Sequence, residues 1–158
     1  MTDDERPLAD DPDLVCGNRV EILVDGPETY AAMFQAIDAA ARSVHVVAYQ
    51  VDDSEVGRAL GTRLTRSAAA GADVCLMIDD FGSLETDSDM LEELAADGVR
   101  VRRFNPLSDV VGDTDANRRN HRKLMVIDGQ VAFVGGVNFD ERYQRSPTTG
   151  ESADLAGD

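Results

Sequence analysis

Arg118-Arg119-Asn120-His121-Arg122-Lys123-Leu124-Met125-Val126-Ile127-Asp128-Gly129-Gln130-Val131-Ala132-Phe133-Val134-Gly135-Gly136-Val137-Asn138 is the stretch that decides the fold. Two apolar extended runs flank Gly129-Gln130, a two-residue loop of the kind that joins antiparallel strands, so the spacing predicts a β-hairpin. With that loop Asp128 faces Val131, and counting outward sets Lys123 opposite Gly136 and His121 opposite Asn138. His121 and Lys123 are two apart, so they share one face of an extended strand, with Asn138 and Gly136 beside them on the next. An imidazole, an ammonium and a carboxamide then surround a gap where Gly136 presents no side chain. Such a gap suits a phosphate: a nucleophile or acid/base group, a cation for the phosphoryl oxygens, and an amide donor.

Lys123 is the only lysine in the chain; every other residue among the 15 Lys+Arg is arginine. A compact ammonium acts as a point charge that a planar guanidinium does not reproduce, a physical reason for keeping one lysine here. The bland alternative is a buried hairpin carrying a stray histidine and a surface lysine.

His121-x-Lys123-x4-Asp128 followed by Gly135-Gly136-x-Asn138 resembles the HKD motif of the phospholipase D superfamily. Its wording, Asn120-His121-Arg122-Lys123 with Val126-Ile127-Asp128-Gly129 and Ala132-Phe133-Val134-Gly135-Gly136, is similar to the N-terminal half of a bacterial-type cardiolipin synthase. So are Ile78-Asp79-Asp80-Phe81-Gly82-Ser83 and Phe104-Asn105-Pro106. The resemblance implies an α/β fold, a phospholipase D-like mixed sheet flanked by helices, with a single HKD half. It implies a catalytic group of His121, Lys123 and Asp128. His121 is nucleophile or acid/base, Lys123 and Asn138 hold phosphoryl oxygens, Gly135 and Gly136 allow close approach, and Asp128 fixes the hairpin from its far end.

The activity implied is phosphatidyl transfer through a phosphohistidine, from a phosphatidylglycerol-like phospholipid at a membrane surface, with no metal and no cofactor. Two motifs cooperate in the family and this chain has one, so a homodimer partner or a second HKD half has to complete the site. The acidic residue that orients the family's histidine has Glu151 as its nearest counterpart. The alternatives are a homodimeric phosphodiesterase or nuclease, and an inactive fragment.

The 158 residues suit one domain, and no apolar run approaches the roughly 20 residues that cross a bilayer. No basic-then-apolar export signal opens the chain. Cys16 and Cys75 read as free thiols, which points to a reducing compartment, hence a cytoplasmic protein, peripheral at the inner face of the membrane. The net charge of −16 repels polyanions and makes nucleic acid a poor partner. Against that background Arg100, Arg102, Arg103, Arg118, Arg119, Arg122 and Lys123 gather just before and within the motif, either as a positive mouth or as solvated cations.

Residues 1–17 read as a disordered acidic lead-in, 18–145 as the phospholipase D-like domain and 146–158 as a disordered tail. Within the domain, residues 19–24 are expected as a first strand, followed by an amphipathic helix over 27–42 and a strand over 43–50. A second helix carries Val56, Leu60 and Leu64 to a stop at Gly71, and 74–78 is a central strand. Thr86-x-x-Asp89 resembles a capping box before a helix ending at Gly98, and Val99, Val101 and Phe104 mark a further strand. Residues 105–117 are expected as a loop over the site. His45, inside an apolar strand, reads as a hydrogen-bonded structural residue.

Overall fold

The computed structural model describes residues 16–84, 86, 88–106 and 119–155. The elements run α1 (Asp25–Asp38), β1 (Ser43–Ala48), α2 (Glu55–Ala69), β2 (Asp73–Asp79), α3 (Ser88–Ala96), β3 (Arg100–Phe104), β4 (Lys123–Ile127) and β5 (Val131–Gly135), with a 3-10 turn at Glu141–Tyr143. The strands form one mixed sheet in the order β3-β2-β1-β4-β5. β1 pairs β2 in parallel and β2 pairs β3 in parallel, while β4 lies antiparallel to both β1 and β5.

β1-α2-β2-α3-β3 advances in one direction along the sheet, and right-handed crossovers then put both helices on the same face. α1 joins them there, because Tyr30, Met33, Phe34 and Ile37 form a single stripe in the core that also holds Val56, Leu60, Leu64, Leu91 and Leu94. The sheet contributes alternate residues to that core: Val44, Val46 and Ala48, then Val74, Leu76 and Ile78. Full burial of a side chain such as Leu60 or Leu64 stabilises the fold by about 1.5–3 kcal/mol.

Local chemistry sets the helix ends. Ser54 caps α2 through a hydroxyl facing Gly57 N–H, and Gly71, at φ +96, turns the chain out of it. At the start of α1, Glu28 accepts the Val24 N–H at 2.6 Å and the Thr29 hydroxyl donates to the Asp25 carbonyl. Gly26 has no room for a side chain, since a Cβ there would lie 1.7 Å from the Tyr143 carbonyl oxygen. That contact presses the first turn of α1 against the 3-10 turn after the hairpin.

Three expectations change. Residues 19–24 join no ladder, and Val20 and Ile22 are exposed, so the expected first strand is not part of the sheet. The stretch from Ser146 onward is tied down as far as it is described. Ser146 is buried, its hydroxyl donates to Asp25 at 2.6 Å, its N–H reaches Glu151, and Arg63 donates to the Leu155 carbonyl. A polar segment without apolar periodicity is thus ordered by hydrogen bonds to α1 and α2, which periodicity does not reveal.

The third change is the hairpin loop. It has three residues, Asp128-Gly129-Gln130, and the ladder closes at Ile127 opposite Val131. The Asp128 carboxylate accepts the N–H groups of Ala41 (2.9 Å), Arg42 (2.8 Å) and Ser43 (2.7 Å), and its own N–H donates to the Ser43 carbonyl. Those bonds draw Asp128 toward β1 and out of register with β5, in a left-handed conformation (φ +54) that Gly129 (φ +67) continues. The shift makes Gly135, not Gly136, the partner of Lys123.

Candidate active site

β4 runs antiparallel to β1, so its first residues lie at the end where β1 and β2 finish. After β5 the chain crosses to that end as well: Phe139 N–H donates to the Gln50 carbonyl, and Asp52 N–H to the Phe139 carbonyl. Tyr30 fixes the crossing by donating its hydroxyl to the Asn138 carbonyl at 2.5 Å. Burial pushes the Tyr30 pKa well up, so the phenol stays an O–H donor. Asp140 is buried and held by Arg142, whose guanidinium keeps its carboxyl below the ordinary range.

His121 stands exposed just before β4, its ring 4.6 Å from that of Tyr49 at an interplanar angle of 53°. Lys123 is 7% exposed. Its ammonium donates to the His121 carbonyl at 2.9 Å and lies 5.0 Å from the centre of the Tyr49 ring. Burial pushes its pKa down, because an ammonium removed from water lacks part of its solvation. Of its three donors one reaches a protein oxygen among the described residues, which leaves capacity for an anion. A cleft of about 380 Å³ opens beside Lys123, walled by Gly135, Gly136, Val137, Thr29 and Met33. A Cβ on Gly135 or Gly136 would meet nothing within 4 Å, so both glycines border open space.

Asn138 is buried, and its Oδ1 is without a hydrogen-bond partner among the described residues. A carboxamide turned by half a rotation would present its N–H there, to an acceptor such as a phosphoryl oxygen. A buried polar atom without a partner costs roughly 1–3 kcal/mol, which a ligand can relieve.

Asp128 is at the opposite end of β4. Its three backbone donors hold its carboxyl below the usual carboxylate range. Glu151 accepts from the Thr149 hydroxyl in an exposed turn, and among the described residues no carboxylate pairs with the His121 ring. His45 reaches Asp73 at 3.4 Å on the sheet surface, a structural contact as its setting suggested. The described arginines divide: Arg119 and Arg122 line one hollow with Phe104, Asn120 and His121, and the others are held elsewhere or do not line it. Arg100 is bound to Asp73 at 2.6 Å at the far end of the sheet, Arg103 to Asp80 at 2.6 Å, and Arg119 to the Asn105 carbonyl at 3.3 Å. Arg118 and the expected loop beyond Pro106 lie outside the described residues. Cys16 and Cys75 are free thiols. Among the described residues no cluster of His, Cys, Asp and Glu is arranged to hold a metal. Tyr30, Tyr49 and Asp79 also stand at this end; sequence reasoning gave them no role in the site, reading Tyr30 as a core residue of a helix, Tyr49 as part of a strand and Asp79 as part of a strand-end loop in a stretch similar to the family.

A mixed sheet with helices and an HKD hairpin at its strand ends defines a phospholipase D-like domain. Residues 33–148 match the family model described as cardiolipin synthase, PLD-like domain, and the chain belongs to that family. It is 36% identical over 126 residues to a cardiolipin synthase of Geobacillus thermodenitrificans, covering 80% of this chain and 25% of that protein. It is 34% identical over 128 residues to cardiolipin synthase B of Salmonella typhimurium, covering 80% of this chain and 31% of that one. The chain thus spans about a quarter to a third of these relatives. Among solved structures it is similar in fold to a phospholipase D family member, Nuc from Salmonella typhimurium, with a TM-score of 0.56 and 20% identity over 74% of this chain and 68% of that one.

Proposed function

We propose that this domain supplies one half of a phosphatidyltransferase site, moving a phosphatidyl group between phospholipids through a phosphohistidine. The observation that supports the reading is that the exposed His121 imidazole and the buried Lys123 ammonium meet the same Tyr49 ring, at 4.6 Å and 5.0 Å, with Lys123 lining one cleft and His121 the hollow formed with Phe104, Arg119, Asn120 and Arg122. An imidazole nitrogen of His121 attacks phosphorus and the P–O bond to the headgroup alcohol breaks. A histidine of a second motif gives its proton to the departing alkoxide. The hydroxyl of an acceptor lipid then returns a proton to that histidine and attacks phosphorus, releasing His121. Lys123 and the Asn138 carboxamide would steady the phosphoryl oxygens as charge builds on them.

The second motif comes from a twofold partner or from a further half of a longer polypeptide. The natural substrate on this reading is an anionic phospholipid such as phosphatidylglycerol, met at a membrane surface by a protein that binds there peripherally. Among the described residues no helix is long and apolar enough to cross a membrane. The test is to incubate the chain, alone and joined to a second HKD half, with phosphatidylglycerol vesicles and to assay cardiolipin and glycerol. Formation of both, with a lipid-labelled His121 trapped by rapid quenching, is expected; no product from either form overturns the reading.

A homodimeric phosphodiesterase is the second reading, favoured by the 68% of the Nuc chain that this domain covers. Turnover of bis(p-nitrophenyl) phosphate with no lipid product selects it. A strict monomer without turnover selects the inactive fragment.

A further inference from the structure

The Asp79 carboxylate at the end of β2 is completely buried and is divided between two pieces of chain remote in sequence. One oxygen accepts the N–H groups of Phe81 (3.1 Å) and Gly82 (3.0 Å). The other accepts the N–H of Asn120, the residue before His121, at 2.7 Å. The first pair holds the loop after β2 hard against Tyr49. A Cβ on Gly82 would lie 2.3 Å from the Tyr49 carbonyl oxygen and 2.8 Å from its ring carbons, and the Ser83 hydroxyl donates to that carbonyl at 3.3 Å. The ring so backed meets the His121 imidazole at 4.6 Å and carries the Lys123 ammonium at 5.0 Å. Tilted ring pairs and a cation near an aromatic face are both attractive, and each has a preferred geometry. The Tyr49 hydroxyl makes no hydrogen bond among the described residues, so the ring is the working part.

We infer that Asp79 and Tyr49 form one positioning unit: the buried carboxylate locks both the loop behind the ring and the chain leading to His121, and the ring sets where imidazole and ammonium point. The inference rests on the phosphoryl-transfer reading for its use, yet its geometry is measurable without turnover. Both are positioning residues that act through His121 and Lys123.

With two histidines and one lysine, the chain labelled with 13C-histidine and 13C-lysine gives few, assignable signals. The Tyr49 ring current displaces the His121 ring protons and the Lys123 ε-methylene. Tyr49→Leu returns both toward their free amino-acid positions, Tyr49→Phe keeps them in place, and His45 serves as the unaffected control. In the form that transfers phosphatidyl groups, Tyr49→Leu lowers kcat about ten- to a hundredfold with little change in KM, the scale expected for misplaced reacting groups, and Tyr49→Phe recovers it. Asp79→Asn, which sets an amide N–H against an N–H it formerly accepted, moves the same signals; the Tyr49 pair decides the matter should that variant not fold. Unmoved His121 and Lys123 signals in Tyr49→Leu overturn the inference, as do moved signals with wild-type turnover. Signals that behave as expected in a chain with no turnover support the positioning unit and count against the phosphoryl-transfer reading alone.

Discussion

The two ends of the β4–β5 hairpin carry equally polar residues and treat them in opposite ways. At the turn, the Asp128 carboxylate is saturated by three backbone N–H groups of the neighbouring connection. At the other end the His121 ring is exposed, and among the described residues the buried Lys123 ammonium bonds one protein oxygen and the buried Asn138 Oδ1 has no partner. Satisfied polarity stabilises a fold, whereas polarity held in place and left unsatisfied is what a ligand requires. The hairpin thus separates a structural end from a chemical one within a five-residue strand.

Four substitutions break or sharpen that contrast, in order of their effect on turnover. His121→Ala should abolish phosphatidyl transfer, by roughly 10⁴-fold or more, with the urea midpoint unchanged because the side chain is exposed. Lys123→Met should lower turnover by about 10²–10³-fold while raising the urea midpoint. The sign follows from the depressed Lys123 pKa: the charged form is less favourable folded than unfolded, a cost present at neutral pH and relieved as pH rises through the lowered value. Gly135→Ala places a methyl group on Lys123's face in open space, so about tenfold lower turnover with stability within about 0.5 kcal/mol is expected. Asp128→Asn should leave kcat nearly intact in the folded protein but lower the urea midpoint. Its depressed pKa makes that loss full above about pH 4, and it should fade as pH falls through the folded-state value, which denaturation at a series of pH values would show.

Much of this was readable from residue order. The 3.6-residue period of Tyr30, Met33, Phe34 and Ile37, the punctuation at Gly71 and Gly98, and the apolar run at Val74 to Ile78 mark elements that the structure contains. The hairpin was legible too, although its register was not. Gly129-Gln130 is an acceptable local turn, and only bonds to residues more than eighty positions earlier enlarge the loop to take in Asp128. The same limit hid the site's support. Tyr49 reads as one residue of the strand over 43–50, and its ring matters because Gly82 and Asp79 arrive behind it from another connection. Residues 19–24 failed for the converse reason: their apolar character suits a strand, but strand pairing is a property of two segments.

One further consequence follows from the solitary lysine. Acylating or carbonyl reagents that decorate the exterior of most proteins have a single ε-amine to find here, shielded by Tyr49 and reached through the cleft beside Gly135. Apart from the α-amino group, amine chemistry on this molecule is therefore confined to the residue proposed to hold the phosphate, and an anion lodged there would act as a protecting group.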